Sequence, residues 1–356
     1  MRTPRLSYRE NYLRDASFQY PEYIPCRIGI AWPIWNTYRE KVERVVARHP
    51  LIFRGFKPGS IKYGEKPGIL RSNETRYDAF GCLWAFPIRG LQGIVVKHPL
   101  ENWDQFRDFE LPDPDAGIPG ESGGMTPWET IYERMEKAKE EGELVVAGMP
   151  HGFFFQRLYY LRGFHNLLMD FVRRPPEIYD LVEMLAEYNL ELVERLLRFK
   201  GIDVFSFGDD LGCQDRMPVS PAVFREFIFP AYKKIFGRIR SAGIHIRLHS
   251  DGHVVEVLDQ IIESGVTIVN VQDRVNGLDN IARMCRGRVC VDLDIDRQKL
   301  MPYGTPEQIR RHVKTAVEKI ATKKGGLMFI ADLYPPTPPE NIEALCQAFE
   351  EYMWLN

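Results

Sequence analysis

The chain has 356 residues, 44% hydrophobic and 27% charged, with a formal net charge of −2. This is the composition of an ordinary globular protein, and its near-neutral balance leaves no basic stripe for nucleic acid or an anionic membrane. No apolar stretch nears the roughly 18 residues that a membrane-crossing helix needs.

The charged start MRTPRLSYRENYLRD lacks the apolar core of a signal peptide. Six scattered cysteines without a CxxC pair argue against a disulfide framework and fit a reducing cytoplasm. The first predicted strand is RIGIA (27–31). Residues 50 to 140 then break the pattern: Gly, Pro and aromatics come first (FRGFKPGSIKYGEKPG, YDAFGCLWAFP), followed by the acidic, proline-rich FELPDPDAGIPGESGG. This stretch is expected to be an insertion with β-hairpins over one mouth of the fold.

From there strands and helices alternate. LVVAG (144–148) precedes a helix expected over His165 to Phe199. DVFSFG (203–208) precedes a helix opening at Ser220-Pro221, a good N-cap and first position. HIRLH (245–249) precedes a helix whose apolar positions Val254, Val257, Leu258, Ile261 and Ile262 share one face. TIVNV (267–271), RVCVDL (288–293) and GLMFIA (326–331) repeat the unit, with helix starts at Thr305-Pro306-Glu307 and Pro339-Glu340. Seven strands alternating with helices predict a parallel α/β fold. The expectation is a (β/α)8 TIM-type barrel forming a single domain over 1–356, with the 50–140 insertion covering its C-terminal mouth. No GxGxxG follows a strand and no phosphate loop occurs.

In such a barrel the chemistry sits where strands end. Those ends are Trp32, Met149-Pro150-His151, Gly208-Asp209-Asp210, His249-Ser250-Asp251-Gly252, Gln272-Asp273, Asp292–Asp296 and Asp332. His249, Asp251 and Asp332 form a candidate metal set of one imidazole and two carboxylates. The bland alternative has His249 bonding a backbone group and Asp251 capping a helix. Asp209, Asp210 and His249 are the candidate catalytic residues, since adjacent carboxylates resist joint ionisation when desolvated and one can then serve as general acid. Trp84, Phe86, His151, Phe153, Phe154 and Gln214 are candidate substrate contacts, with ordinary core packing the competing role for the aromatics.

Several strings are recognisable. GDDLGCQDRMPVSPAVFREFIFPAYKKI (208–235), HSDG (249–252) and PPTPPENIEAL (335–345) resemble motifs of the uroporphyrinogen decarboxylase superfamily. YDAFGCLW (77–84), HPLENWDQF (98–106), LRGFHNLLMD (161–170) and the opening REN-YLR with PEYIP look like its corrinoid-dependent, O-demethylase-like methyltransferase branch. The resemblance implies a barrel enzyme that moves a methyl group from a small methylated compound, such as an aryl methyl ether, to cobalt. The corrinoid would be supplied by a separate small partner protein, because the chain has no cobamide-binding Asp-x-His-x-x-Gly. Zinc is the metal the resemblance implies. A homodimer is consistent with the superfamily's habit.

Two departures qualify it. The decarboxylase's N-terminal Arg-Gln-Ala-Gly-Arg segment is missing. The branch's His-x-Cys and later Cys zinc ligands read His249-x-Asp251 and Asp332. The alternative activity is decarboxylation of another carboxylate, with Arg247 or Arg162 as anchor.

Overall fold

The structure is a computed structural model, and it describes residues 2–64, 74–87, 93–120 and 123–355. In chain order its strands open with β1 (Cys26–Ile30), the trio β2 (Glu74–Tyr77), β3 (Leu83–Phe86) and β4 (Ile94–Lys97), and the short pair β5 (Ile118–Pro119) and β6 (Met125–Thr126). They continue with β7 (Val146–Gly148), β8 (Val204–Gly208), β9 (His245–Ser250), β10 (Ile268–Gln272), β11 (Cys290–Asp294) and β12 (Leu327–Leu333). All seven segments expected as parallel strands are strands, with ends within two residues of the predicted ones. An eighth parallel strand does not occur among the described residues.

The chain divides into two compact units, one from residues 1–67 and 268–356 and the other from residues 68–267. In the first unit the order is β1-β12-β11-β10, all parallel, with Ile28 opposite Ala331, Leu293 opposite Phe329 and Val269 opposite Val291. Every residue of β10 and β11 is buried, as expected of parallel strands covered on both faces. The helix Pro306–Ile320 supplies part of that cover with Ile309, Val313, Ala316 and Ile320, one stripe at helical spacing. Its start is the predicted one: Thr305 accepts from the Gln308 N–H while the Gln308 side chain accepts from Thr305 N–H, a complete capping box.

In the second unit the parallel order is β9-β8-β7, with Phe205 opposite both Ile246 and Ala147. The insertion contributes the antiparallel set β2-β3-β4 and the β5-β6 pair, so the expected hairpins are present. The single helix expected over His165 to Phe199 is two, Phe164–Arg173 and Pro176–Leu196. Pro175 and Pro176 lack N–H donors and crowd the preceding residue, and the break is taken up at Arg174, whose φ is +55°.

The helix opening at Ser220 is capped as expected, by a bond from Val223 N–H. It widens to a π turn over Phe224–Ile228 and then resumes as Phe229–Ser241. Pro230 has no N–H to continue the regular ladder, which accounts for the wide turn. The resumed helix carries Tyr232 into the interior.

Candidate active site

Three strand ends of the second unit build one cluster. After β7 the chain runs through Met149-Pro150 to His151. After β8 come Asp209 and Asp210, and β9 carries His249 as its penultimate residue. His151 Nε2 donates to Asp210 Oδ2 at 2.8 Å. His249 Nε2 lies 3.6 Å from Asp210 Oδ1 and 3.3 Å from Asp251 Oδ1. The two imidazole rings are 5.4 Å apart, centre to centre. Donor atoms of His151, Asp210 and His249 all fall within 4.8 Å of one another. His151 owes its place to Gly208, because a Cβ there would collide with His151 Nδ1.

The two adjacent aspartates have opposite environments. Asp209 is fully buried. Its Oδ2 accepts from Phe155 N–H at 2.7 Å and from the Tyr232 hydroxyl at 2.8 Å, and its Oδ1 accepts from Gln156 N–H at 2.9 Å. Burial pushes its carboxyl up to about 6, even against those donors and the charge of His151.

Asp210 keeps a quarter of its side chain exposed. Burial would raise it too, but the hydrogen bond and charge of His151, the charge of His249 and the Asp251 N–H hold it below the ordinary carboxylate value. Asp209 is therefore a tie between a strand end and the start of the helix Phe155–Arg162, and Asp210 is the ionised group facing the imidazoles.

Gln156, 4% exposed, is the residue that sequence reasoning missed. Its Oε1 accepts from Asp210 N–H at 2.9 Å and its Nε2 donates to Asp210 Oδ2 at 3.2 Å. The same amide reaches the Tyr159 and Tyr160 hydroxyls at 3.1 Å. A single neutral polar residue inside the aromatic run FFFQRLYY was the available signal.

The other sequence candidates lie as follows. Asp251 neighbours His249 but stands outside the three-residue cluster. Asp332 belongs to the first unit, where its carboxylate occupies the space a side chain on Gly29 would need. Trp84 is 1% exposed, packs edge-on against Tyr160 at 4.9 Å and donates its indole N–H to Asp78 Oδ2 at 2.9 Å. Phe86 and Phe154 are buried, Phe153 packs between Phe207 and Tyr232, and Gln214 is exposed on the loop after β8.

The donor set of two imidazole nitrogens and one carboxylate oxygen suits a borderline divalent cation such as zinc. Asp210 already favours its ionised form, as a ligand must. An ion would displace the proton that His151 now shares with it, so binding would release protons.

The profile of the uroporphyrinogen decarboxylase (URO-D) family matches residues 75–352. The chain belongs to that family. Its relatives fall on two sides. It is 26% identical over 155 residues to the methylcobamide:CoM methyltransferase MtaA of Methanosarcina barkeri, which covers 43% of this chain and 42% of that protein. This chain thus spans less than half the length of that relative. It is 27% identical over 333 residues to the uroporphyrinogen decarboxylase of Synechococcus sp. (strain CC9605), covering 90% of this chain and 86% of that one. A solved methyltransferase from Methanosarcina mazei superposes with a TM-score of 0.62 at 17% identity, over 97% of this chain and 98% of its own. That likeness establishes the fold, a parallel α/β barrel of TIM type. Among the described residues no helix is long and apolar enough to cross a membrane.

Proposed function

We propose that this family member is a methyltransferase that moves a methyl group from a small methylated compound, such as an aryl methyl ether, to the cobalt of a corrinoid carried by a separate small protein. The observation that carries the reading is the convergence of His151, Asp210 and His249. The 26% identity over 155 residues with a methylcobamide:CoM methyltransferase supports it.

Breaking a carbon–oxygen bond requires stabilising the departing oxygen by protonation or by a Lewis acid. His151, Asp210 and His249 would hold the metal, and zinc bound there would supply the Lewis acidity. Asp251 Oδ1 also lies 3.3 Å from His249 Nε2, the nitrogen that faces Asp210, and would add a further carboxylate oxygen beside a bound ion. Gln156 and the Asp251 N–H fix both oxygens of Asp210, so the ring nitrogens of both histidines face a carboxylate of defined orientation. Asp209 stays out of the reaction and holds the helix that bears Gln156.

A decarboxylase is the second reading, favoured by the relative that matches over 90% of the chain. It would need neither metal nor corrinoid.

The test is zinc content by inductively coupled plasma mass spectrometry after zinc loading, on wild type, Asp210→Ala and His249→Ala, beside a cobalamin absorbance assay with methyl ethers. Stoichiometric zinc in the wild type, lost in both variants together with methyl transfer, is the expected result. Full turnover in both variants would sink the metal-assisted reading. Release of CO2 from a carboxylate without corrinoid would establish the decarboxylase instead.

A further inference from the structure

The second unit holds a cavity of about 390 Å3 beside β7, with none of His151, Asp210 and His249 in its lining. Its walls come from three places. The β5-β6 hairpin gives Ile118, the helix Trp128–Glu140 gives Met135 and Ala138, and the β7 segment gives Val146 and Met149. Within this unit β7 pairs with β8 alone. Val146 is accordingly 45% exposed although it sits on a strand of the parallel sheet. Apolar surface left open inside a concave wall is surface that a ligand can cover, and the volume lies within the usual range for small-molecule sites.

Among the described residues that line this apolar space, Arg134 is the one cation. Its helical neighbours three and four residues away are Thr130, Ile131, Lys137 and Ala138, none of them acidic. Among the described residues no carboxylate pairs with it. An exposed guanidinium that has no carboxylate partner among the described residues and lines an apolar cavity selects a planar anion, since its forked donors match a carboxylate.

We propose that this cavity binds a small monocarboxylic acid with a compact apolar body, the body against Val146 and Met135 and the carboxylate on Arg134. The site stands independently of the methyl-transfer reading, because it uses none of the cluster residues. The wall nevertheless runs through Met149 and Pro150 directly into His151.

The test is isothermal titration of the full chain, without metal or corrinoid, using 4-methylbenzoate and its uncharged isostere 4-methylbenzamide. The wild type is expected to bind the acid about tenfold or more tightly than the amide, as loss of a charge-assisted pair implies. Arg134→Gln, a change on the exposed helix surface, should erase that preference. Ala138→Phe, which fills the space, should abolish binding of both while thermal unfolding confirms the fold. If Ala138→Phe fails to fold, Arg134→Gln decides alone. Absence of acid binding in the wild type overturns the proposal, as does a preference for the acid that survives Arg134→Gln or binding that survives a folded Ala138→Phe.

Discussion

Gln156 touches Asp210 from two sides, as acceptor for its backbone and donor to its carboxylate. Partners of this kind set the orientation and basicity of a ligating group, and their loss typically costs 10- to 100-fold in metal affinity. Gln156→Leu should therefore weaken zinc binding by about that factor in a chelator competition while the fold persists. A lowered unfolding temperature with unchanged affinity would mean that Gln156 only packs. The Asp209-Asp210 pair illustrates what a sequence conveys at this scale. Two adjacent carboxylates at a strand end mark a site, but successive residues there turn opposite ways. Which one is buried depends on Phe155, Gln156 and Tyr232, all distant in sequence or hidden in an aromatic run. Trp84, Phe86 and Phe154, the candidates for packing a substrate ring, are buried in the interior.

At the scale of elements, the strands were legible because apolar runs between turn signals have few other solutions, and each of the seven is present. Helix continuity was less legible. The periodicity of 165–199 reads straight through Pro175-Pro176, whereas the missing donors end one helix and begin the next. The close approach of strand ends leaves no trace in hydropathy at all. Gly208→Ala should displace His151 from Asp210, since the added methyl takes the space of the imidazole. We expect zinc affinity to fall at least tenfold with a far-ultraviolet circular dichroism spectrum like the wild type's; unchanged affinity would contradict the packing described. A similar constraint joins the loops after β8 and β9, where Gly212 and Gly252 cross so closely that a side chain on either meets the other loop's backbone.

At the scale of the whole molecule, stability should carry a pH signature from the first unit. His312 Nε2 donates to Asp273 Oδ2 at 2.6 Å, and Asp273 is 2% exposed. Burial alone would lower His312, but that hydrogen bond and the charge of Asp273 hold it above the ordinary histidine value. A raised folded value means that the contribution is full below the unfolded value of about 6.5 and is lost as pH climbs through the folded one. In urea titrations between about pH 5.5 and about pH 9, the gap between wild type and His312→Gln should be about 2 kcal/mol at the acid end and shrink toward the alkaline end. A gap independent of pH would refute the charged pair. The alternation of strands and helices made the fold class readable, but the division into two units was not, because it depends on which distant segments meet. That division has a consequence for synthesis. β1 finds its parallel partner in β12, Cys26 opposite Phe329, so that strand stays without this neighbour until β12 has been made. The 68–267 unit is contiguous and can fold as it leaves the ribosome. β1 is thus made before the 68–267 unit and secured after it, and a nascent chain stalled before β12 would expose β1 to chaperones and proteases.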